Sequence, residues 1–181
     1  MSTDFPEENM SLIQNIPAQL DTSHEVNQIL DFTLKNIEAQ YGFEGVGVQL
    51  VDYEKKKIKF YTLHMPSVST EIKKEIEKME IPLDVTGGVC FFLTQSFFTL
   101  YFEDVQSMNL NLDNASKYDV KSLELLKHRS HLIIPVVFEK KVRVFIHLSS
   151  FTQTIKISRE EIDRIELICK NIGRVLYKTL T

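Results

Sequence analysis

Cysteine and histidine are the residues of this chain with the widest chemical range, and there are two of the first and five of the second. Cys90 and Cys169 are far apart and fit no metal-ligand spacing. Cys90 lies between Val89 and Phe91, the setting of a small buried hydrophobe rather than an activated thiolate. Thiol redox chemistry needs an attacking thiolate and a resolving partner, and one cysteine in this neighbourhood supplies neither pair. His128 and His131 flank Arg129 and read as surface residues beside a loop. His147 sits inside an alternating run and reads as a sheet histidine, the most informative of the set. No catalytic residue and no metal site follow from these spacings, and no cofactor is expected.

In the run from Val142 to Leu148, the aliphatic residues Val142, Val144, Ile146 and Leu148 alternate with Arg143, Phe145 and His147. A strand sends these two sets to opposite faces. Helices with wide apolar stripes must lie on an apolar face, because an unpaired guanidinium beneath them costs several kcal/mol. The mixed set then faces a ligand space on the other side. Gln49 opposes Val46, Val48 and Leu50 by the same parity and joins that side. Phe91, Phe92, Phe97, Phe98, Tyr101 and Phe102 are expected to cover it. The expected ligand-binding set is therefore Gln49, Phe91, Phe92, Asp104, Arg143, Phe145 and His147, with Arg143 favouring an anionic or carbonyl-bearing ligand through its forked donors.

The elements that position these residues are legible along the chain. Residues 1–11 read as a flexible arm, and Leu12, Ile13, Ile16 and Leu20 suggest a short helix disturbed by Pro17. Asp21–Ser23 offers N-cap oxygens for a helix carrying Val26, Ile29, Leu30, Leu34 and Ile37 and ending at Gly42. Val46–Leu50 and Ile58–Met65 form a hairpin around the charged turn 52–57. A charged helix follows over Thr70–Met79, then an extended Ile81–Leu83, a hydrophobic helical turn from Val89 to Thr94, and a strand from Phe97 to Phe102. Ser107–Lys117 is a polar loop, Ser122–Lys127 a helix, and Leu132–Phe138 with Val142–Leu148 a second hairpin. Ser158 and Glu161 form a capping box for a long closing helix with Ile162, Ile165, Ile168, Cys169, Ile172, Val175 and Leu176. Strands with helices at both chain ends give an α+β class. The closing stripe extends past what one sheet covers, which suggests either a homodimer through the terminal helices or a helix that continues into an output domain.

Composition narrows the partners. At 181 residues the chain fits one core, so 12–181 reads as a single domain. Net charge is −4 with acids and bases interspersed, leaving no basic face for nucleic acid. The apolar run Leu132–Phe138 is far shorter than the roughly 20 residues of a membrane span. The acidic N-terminus lacks the apolar centre of a secretory signal, so a cytoplasmic location is expected.

This order of elements resembles the GAF family. The resemblance covers residues 12–181 and rests on five motifs in sequence: the helix leading into Gly45-Val46-Gly47-Val48-Gln49-Leu50; Ile81-Pro82-Leu83 with Gly87-Gly88-Val89; Phe102-Glu103-Asp104-Val105; Ser130–Val136 with its proline; and Lys140–Ser149 before the closing helix. Val144 stands where the family usually has a glycine, which narrows the space beside that strand. The resemblance implies a three-layer, PAS-like (profilin-like) fold, a central six-stranded antiparallel sheet between a helical layer and a ligand-pocket layer. It also implies a regulatory sensor of a small-molecule effector, part of a signalling protein such as a nucleotide cyclase or histidine kinase. The alternative is an interaction or dimerisation module whose pocket is filled. A third class is the family's free methionine sulfoxide reductases, which share Gly88-Val89-Cys90 but carry their attacking cysteine before the proline strand, where residues 109–129 have none. Bilin-carrying members attach the pigment at a Cys followed by His, and Phe91 follows Cys90 here. Cyclic-nucleotide binders carry a spread Asn-Lys-Phe-Asp-Glu series, which Asn114 and Lys117 begin and nothing completes.

Overall fold

The computed structural model describes residues 22–107 and 115–180. The arm, the short helix around Leu12–Leu20 and most of the polar loop lie outside the described residues. The first described element, α1 (Thr22–Tyr41), carries Val26, Leu30 and Ile37 on one buried stripe. It stops where Gly42 takes φ +81° and returns its N–H to Glu38 O at 2.9 Å, a left-handed cap that suits glycine.

The chain then builds β1 (Gly45–Asp52) and β2 (Lys57–His64), α2 (Thr70–Glu77), β3 (Glu80–Pro82), α3 (Gly88–Ser96), β4 (Leu100–Phe102), α4 (Lys117–Leu126), β5 (Ser130–Phe138), β6 (Lys141–Ser150) and α5 (Arg159–Leu180). The six strands form one antiparallel sheet in the order β3-β2-β1-β6-β5-β4. Two helices begin or end away from the sequence reading, each for a local reason. α4 starts five residues earlier than Ser122, because Ser116 Oγ accepts the Asp119 N–H at 3.1 Å and caps it there. α3 runs on to Ser96, and Phe97 at φ 62° ends it, so β4 keeps only Leu100–Phe102 of the expected strand.

One face of the sheet lies under α1 and α5. Val46, Val48, Val144, Ile146, Leu148, Leu132, Ile134 and Val136 pack there against the two helices. The capping box that starts α5 is present, with Ser158 N to Glu161 Oε2 at 2.7 Å and Glu161 N to Ser158 Oγ at 3.3 Å. Ile162, Ile165, Ile172 and Leu176 are then buried within the chain, each by roughly 1.5–3 kcal/mol of apolar transfer. Gly173 lets α5 approach β5 closely, since a Cβ there would lie 2.5 Å from Val136 Cγ2. Ile165, Ile172 and Leu176 of the stripe read as surplus are therefore core, Ile168 and Val175 are half-buried, and among the described residues the large apolar side chains these two helices leave exposed are Phe32 and Leu167.

The opposite face carries Val51, Ile58, Ile81, Ile133 and Phe145, covered by α3 through Cys90 and Leu93. Parity fails at two bulges, the first in β2, where Tyr61 is the extra residue between the partners of Val48 and Gln49. At the second, Val136 pairs with Val144 but Val137 pairs with Val142, so Arg143 is the extra residue of a β-bulge. Val142 thereby crosses to this second face, against the alternation read from sequence, and Arg143 leaves both faces.

Candidate functional site

The centre of the second face is polar. Gln49, in mid-β1, is 1% exposed and faces Phe145 across β6 and Phe60 across β2. His147, 5% exposed on β6, stands opposite Gly47 and Ile133. His147 Nε2 is 2.9 Å from Gln49 Oε1, and its Nδ1 is 3.1 Å from His131 Nε2. Cys90 Sγ donates to the same Gln49 oxygen at 3.3 Å. The amide oxygen only accepts, so His147 carries its proton on Nε2 and presents a lone pair at Nδ1. His131 must then donate from Nε2. The string is directional, His131 to His147 to Gln49, and it requires a neutral ring at His147.

His128 completes a stack, its ring centroid 4.3 Å from that of His131, which lies 5.3 Å from that of His147. It is buried at 1% exposure and both its nitrogens lack partners among the described residues, so the surface role read from its sequence position is corrected. The corner after Leu126 turns it inward, since Lys127 takes φ 50°. Burial holds His128 down to about 4 and His147 down to about 3, and pushes His131 well below the usual imidazole range.

Cys90 comes from α3, which turns Cys90, Leu93 and Thr94 inward. Burial, aided by the Asp119 carboxylate, pushes the thiol up to about 12, so it stays protonated and non-nucleophilic. Cys169 is buried under α5 on the other face of the sheet, so the two cysteines cannot serve as attacking and resolving partners. Asp119 ties α4 to α3, accepting from Val89 N at 3.2 Å and Ser116 Oγ at 2.8 Å, and burial raises its pKa. Gly88 at φ +67° is required there, because a Cβ would collide with that carboxylate.

These groups surround a cavity of about 50 Å³, whose wall includes Gln49, Cys90, Asp119, His131, His147 and Ser149. That volume suits one or two waters. Ser149 Oγ is buried there without a partner among the described residues. No group of three or more His, Cys, Asp or Glu side chains among the described residues is placed to hold a metal ion. A second hollow, about 720 Å³, is a solvent-open trough between α2 and α4 with lysines and glutamates on its walls, and it holds none of the buried polar string.

Of the residues expected at a ligand space, Gln49 and His147 line the cavity and Phe145 packs in the apolar cluster beside them. The other four lie elsewhere. Phe91 is half-buried outside the cavity wall, and Phe92 is 55% exposed, edge-on to Phe98. Helical periodicity explains this, because α3 can turn only one side inward. Asp104 pairs with Arg129 Nη2 at 3.3 Å. Arg143 is carried away by the bulge, to the hairpin end of the sheet. The sequence reading missed His131, His128, Asp119 and Ser149. His131 and Ser149 had a signal, since they alternate with the aliphatic residues Leu132 and Leu148, and they pair directly across β5 and β6.

No protein-family model matches the sequence, and no curated protein matches it. Solved structures do match. The GAF domain of an Acinetobacter phosphoenolpyruvate-protein phosphotransferase superposes with a TM-score of 0.66 at 12% identity, covering 97% of this chain and 94% of that one. A GAF domain/HD domain protein from Geobacter sulfurreducens gives 0.65 at 12% identity, covering 89% and 99%. A type II free methionine-R-sulfoxide reductase from Thermoplasma acidophilum gives 0.59 at 16% identity, covering 88% and 96%. The likeness at these identities is one of fold, and the fold is that of GAF domains.

Proposed function

We propose that this GAF-fold chain is a regulatory sensor domain, in which a small-molecule effector meets the polar string at the sheet centre and the signal leaves through α1 and α5. The observation that carries this reading is the His131–His147–Gln49–Cys90 string, buried in an otherwise apolar layer. Buried polar groups cost stability unless paired, and His128 and Ser149 stand without a hydrogen-bond partner among the described residues beside the string. Strand β6 is the route between the layers. Its His147 faces the cavity while the adjacent Ile146 and Leu148 pack beneath the helices. A shift of His147 therefore moves residues that α5 rests on. The fold is found in a phosphotransferase and an HD-domain protein, which suits a module controlling an output such as a cyclase or kinase.

A second reading has an observation of its own. A cavity of about 50 Å³ is far below the 300–1,000 Å³ of ordinary ligand sites, which favours an interaction module whose pocket is filled. For that module a homodimer contact would use Phe32 and Leu167, the large apolar residues exposed on α1 and α5 among the described residues. Enzyme chemistry at Cys90 is disfavoured by its protonated state and by the position of Cys169. Among the described residues no helix is long and apolar enough to cross a membrane. Two free thiols suit a reducing, cytoplasmic setting.

Native mass spectrometry of freshly purified protein tests the two readings together. The sensor reading expects a retained small molecule, or a thermal shift with one member of a panel of nucleotides, amino acids and organic acids. That shift should vanish in His147→Leu and Gln49→Leu proteins that still fold. No retained mass and no shift would leave the interaction module as the correct reading.

A further inference from the structure

We propose that Arg143, at the pole of the sheet where the two hairpin turns meet, is a docking site for the carboxylates of an acidic protein segment, separate from the interior cavity. The bulge that removes Arg143 from both faces delivers its guanidinium between two tyrosine rings, with Cζ 5.4 Å from the Tyr53 centroid and 5.7 Å from that of Tyr177. Tyr53 packs on the cavity-side cluster and Tyr177 on the helix-side cluster, so the two rings are anchored on different layers. A guanidinium within about 6 Å of aromatic faces is attracted to them and loses rotamer freedom before any partner arrives.

One donor of this fork is buried without a partner among the described residues, and another is held only in a long ion pair. Nε has no partner among the described residues, and Nη2 lies 3.8 Å from Glu139 Oε2, beyond hydrogen-bond length. Glu139 is exposed on the hairpin turn, where its φ of 50° and that of Lys140 at 62° fix the backbone. The chain's own carboxylate thus holds the fork only in a long ion pair, in the position a partner's carboxylate would take. The surroundings are cationic. Residues 52–57 and 139–143 carry six Lys or Arg against three acids, a local excess of +3 on a chain whose net charge is −4. Lys141 adds its ammonium over the same Tyr53 ring at 4.9 Å. An Arg with pre-set geometry among lysines favours planar, bidentate carboxylates, and the lysines steer them in.

The site also touches the output layer. Tyr177 lies near the end of α5 and packs on Phe138 at 5.2 Å between centroids. A carboxylate drawn onto Arg143 presses on the end of α5 from the pole, whereas the cavity acts on its middle through β6.

A hexaglutamate peptide is the probe, titrated into the whole chain at about 20 mM ionic strength, where screening is weak, with backbone NMR shifts as the readout. Saturable shifts centred on Tyr53, Arg143 and Tyr177 are expected. Arg143→Lys keeps the charge, removes the fork, and should weaken binding roughly tenfold with little change in melting temperature. Glu139→Gln, which removes the nearby carboxylate and leaves the clamp intact, should tighten it. Three results would overturn the proposal: no saturable binding, equal affinity in the Arg143→Lys and unmodified proteins, or binding of pyrophosphate but not of the peptide. None of these outcomes bears on whether the interior cavity holds an effector.

Discussion

Lowering the pH from 8 to 5 loads the unfolded chain with protons that the folded interior refuses. Unfolded histidine titrates near 6.5, whereas burial holds His128 down to about 4 and His147 down to about 3. Above about pH 7.5 both states carry neutral imidazoles and these residues contribute no pH dependence. Below 6.5 the unfolded state binds the extra protons, so stability falls as pH falls. At pH 5 each of the two has about 1.5 pH units of unmatched titration, or about 2 kcal/mol, for about 4 kcal/mol together. That figure needs only folded values well below 5. His131 adds loss in the same direction, since its ring is also held neutral. Asp119 opposes it, because burial raises its carboxyl and acid relieves that burial cost. Domains of this kind have about 5–15 kcal/mol to lose, so the effect is large. Urea unfolding followed by far-ultraviolet circular dichroism at pH 8, 6.5 and 5 measures it. His147→Leu should start less stable, because Gln49 loses a donor, yet lose about 2 kcal/mol less between pH 8 and 5. Stability changing by less than about 1 kcal/mol over that range would refute the reasoning, as would an unchanged slope in His147→Leu.

Cys90 and Cys169 should both resist alkylation in the native state and react only on unfolding, and the protein should show no methionine sulfoxide turnover; native thiol labelling at pH 8 would contradict the buried, protonated assignment. Leu176→Ala should cost about 3 kcal/mol in urea titrations, and Leu176→Glu should abolish folding rather than release a folded monomer, which sedimentation would distinguish. Gly173→Ala should destabilise by about 1–3 kcal/mol, and a double-mutant cycle with Val136→Ala should recover part of that loss; purely additive effects would mean the α5–β5 contact is looser than described.

What the sequence made legible depended on whether the signal was local. Alternation in β1 placed Gln49 correctly opposite the helices, and the Ser158–Glu161 box and Gly42 marked real helix ends. The same alternation misplaced Arg143 and Val142, because a bulge adds one residue without leaving a mark in the hydrophobic pattern. The aromatic run around Phe91 failed for a related reason. Apolar density says that a segment is buried somewhere, but the turn of α3 decides that Cys90 points inward and Phe92 outward. Ile165, Ile172 and Leu176 of the closing stripe are core because Gly173 lets α5 approach β5 closely, and how much one sheet can cover depends on that approach. His128, His131 and Asp119 become one site only through contacts between elements distant in sequence, which no local pattern encodes.

The strand order has a consequence for how freely such a chain can change. The two hairpins meet through β1 and β6, whose paired residues lie about 100 positions apart, so the sheet closes on one long excursion spanning residues 65–129. The helix-side core draws almost wholly on residues before and after that excursion, with Tyr101 as its contribution from within. Loop closure grows only logarithmically with length, so lengthening or shortening the excursion costs little once its ends are paired. A lineage can therefore rewrite the walls of the interior cavity, by insertion as readily as by substitution, while the layer under α1 and α5 keeps its packing.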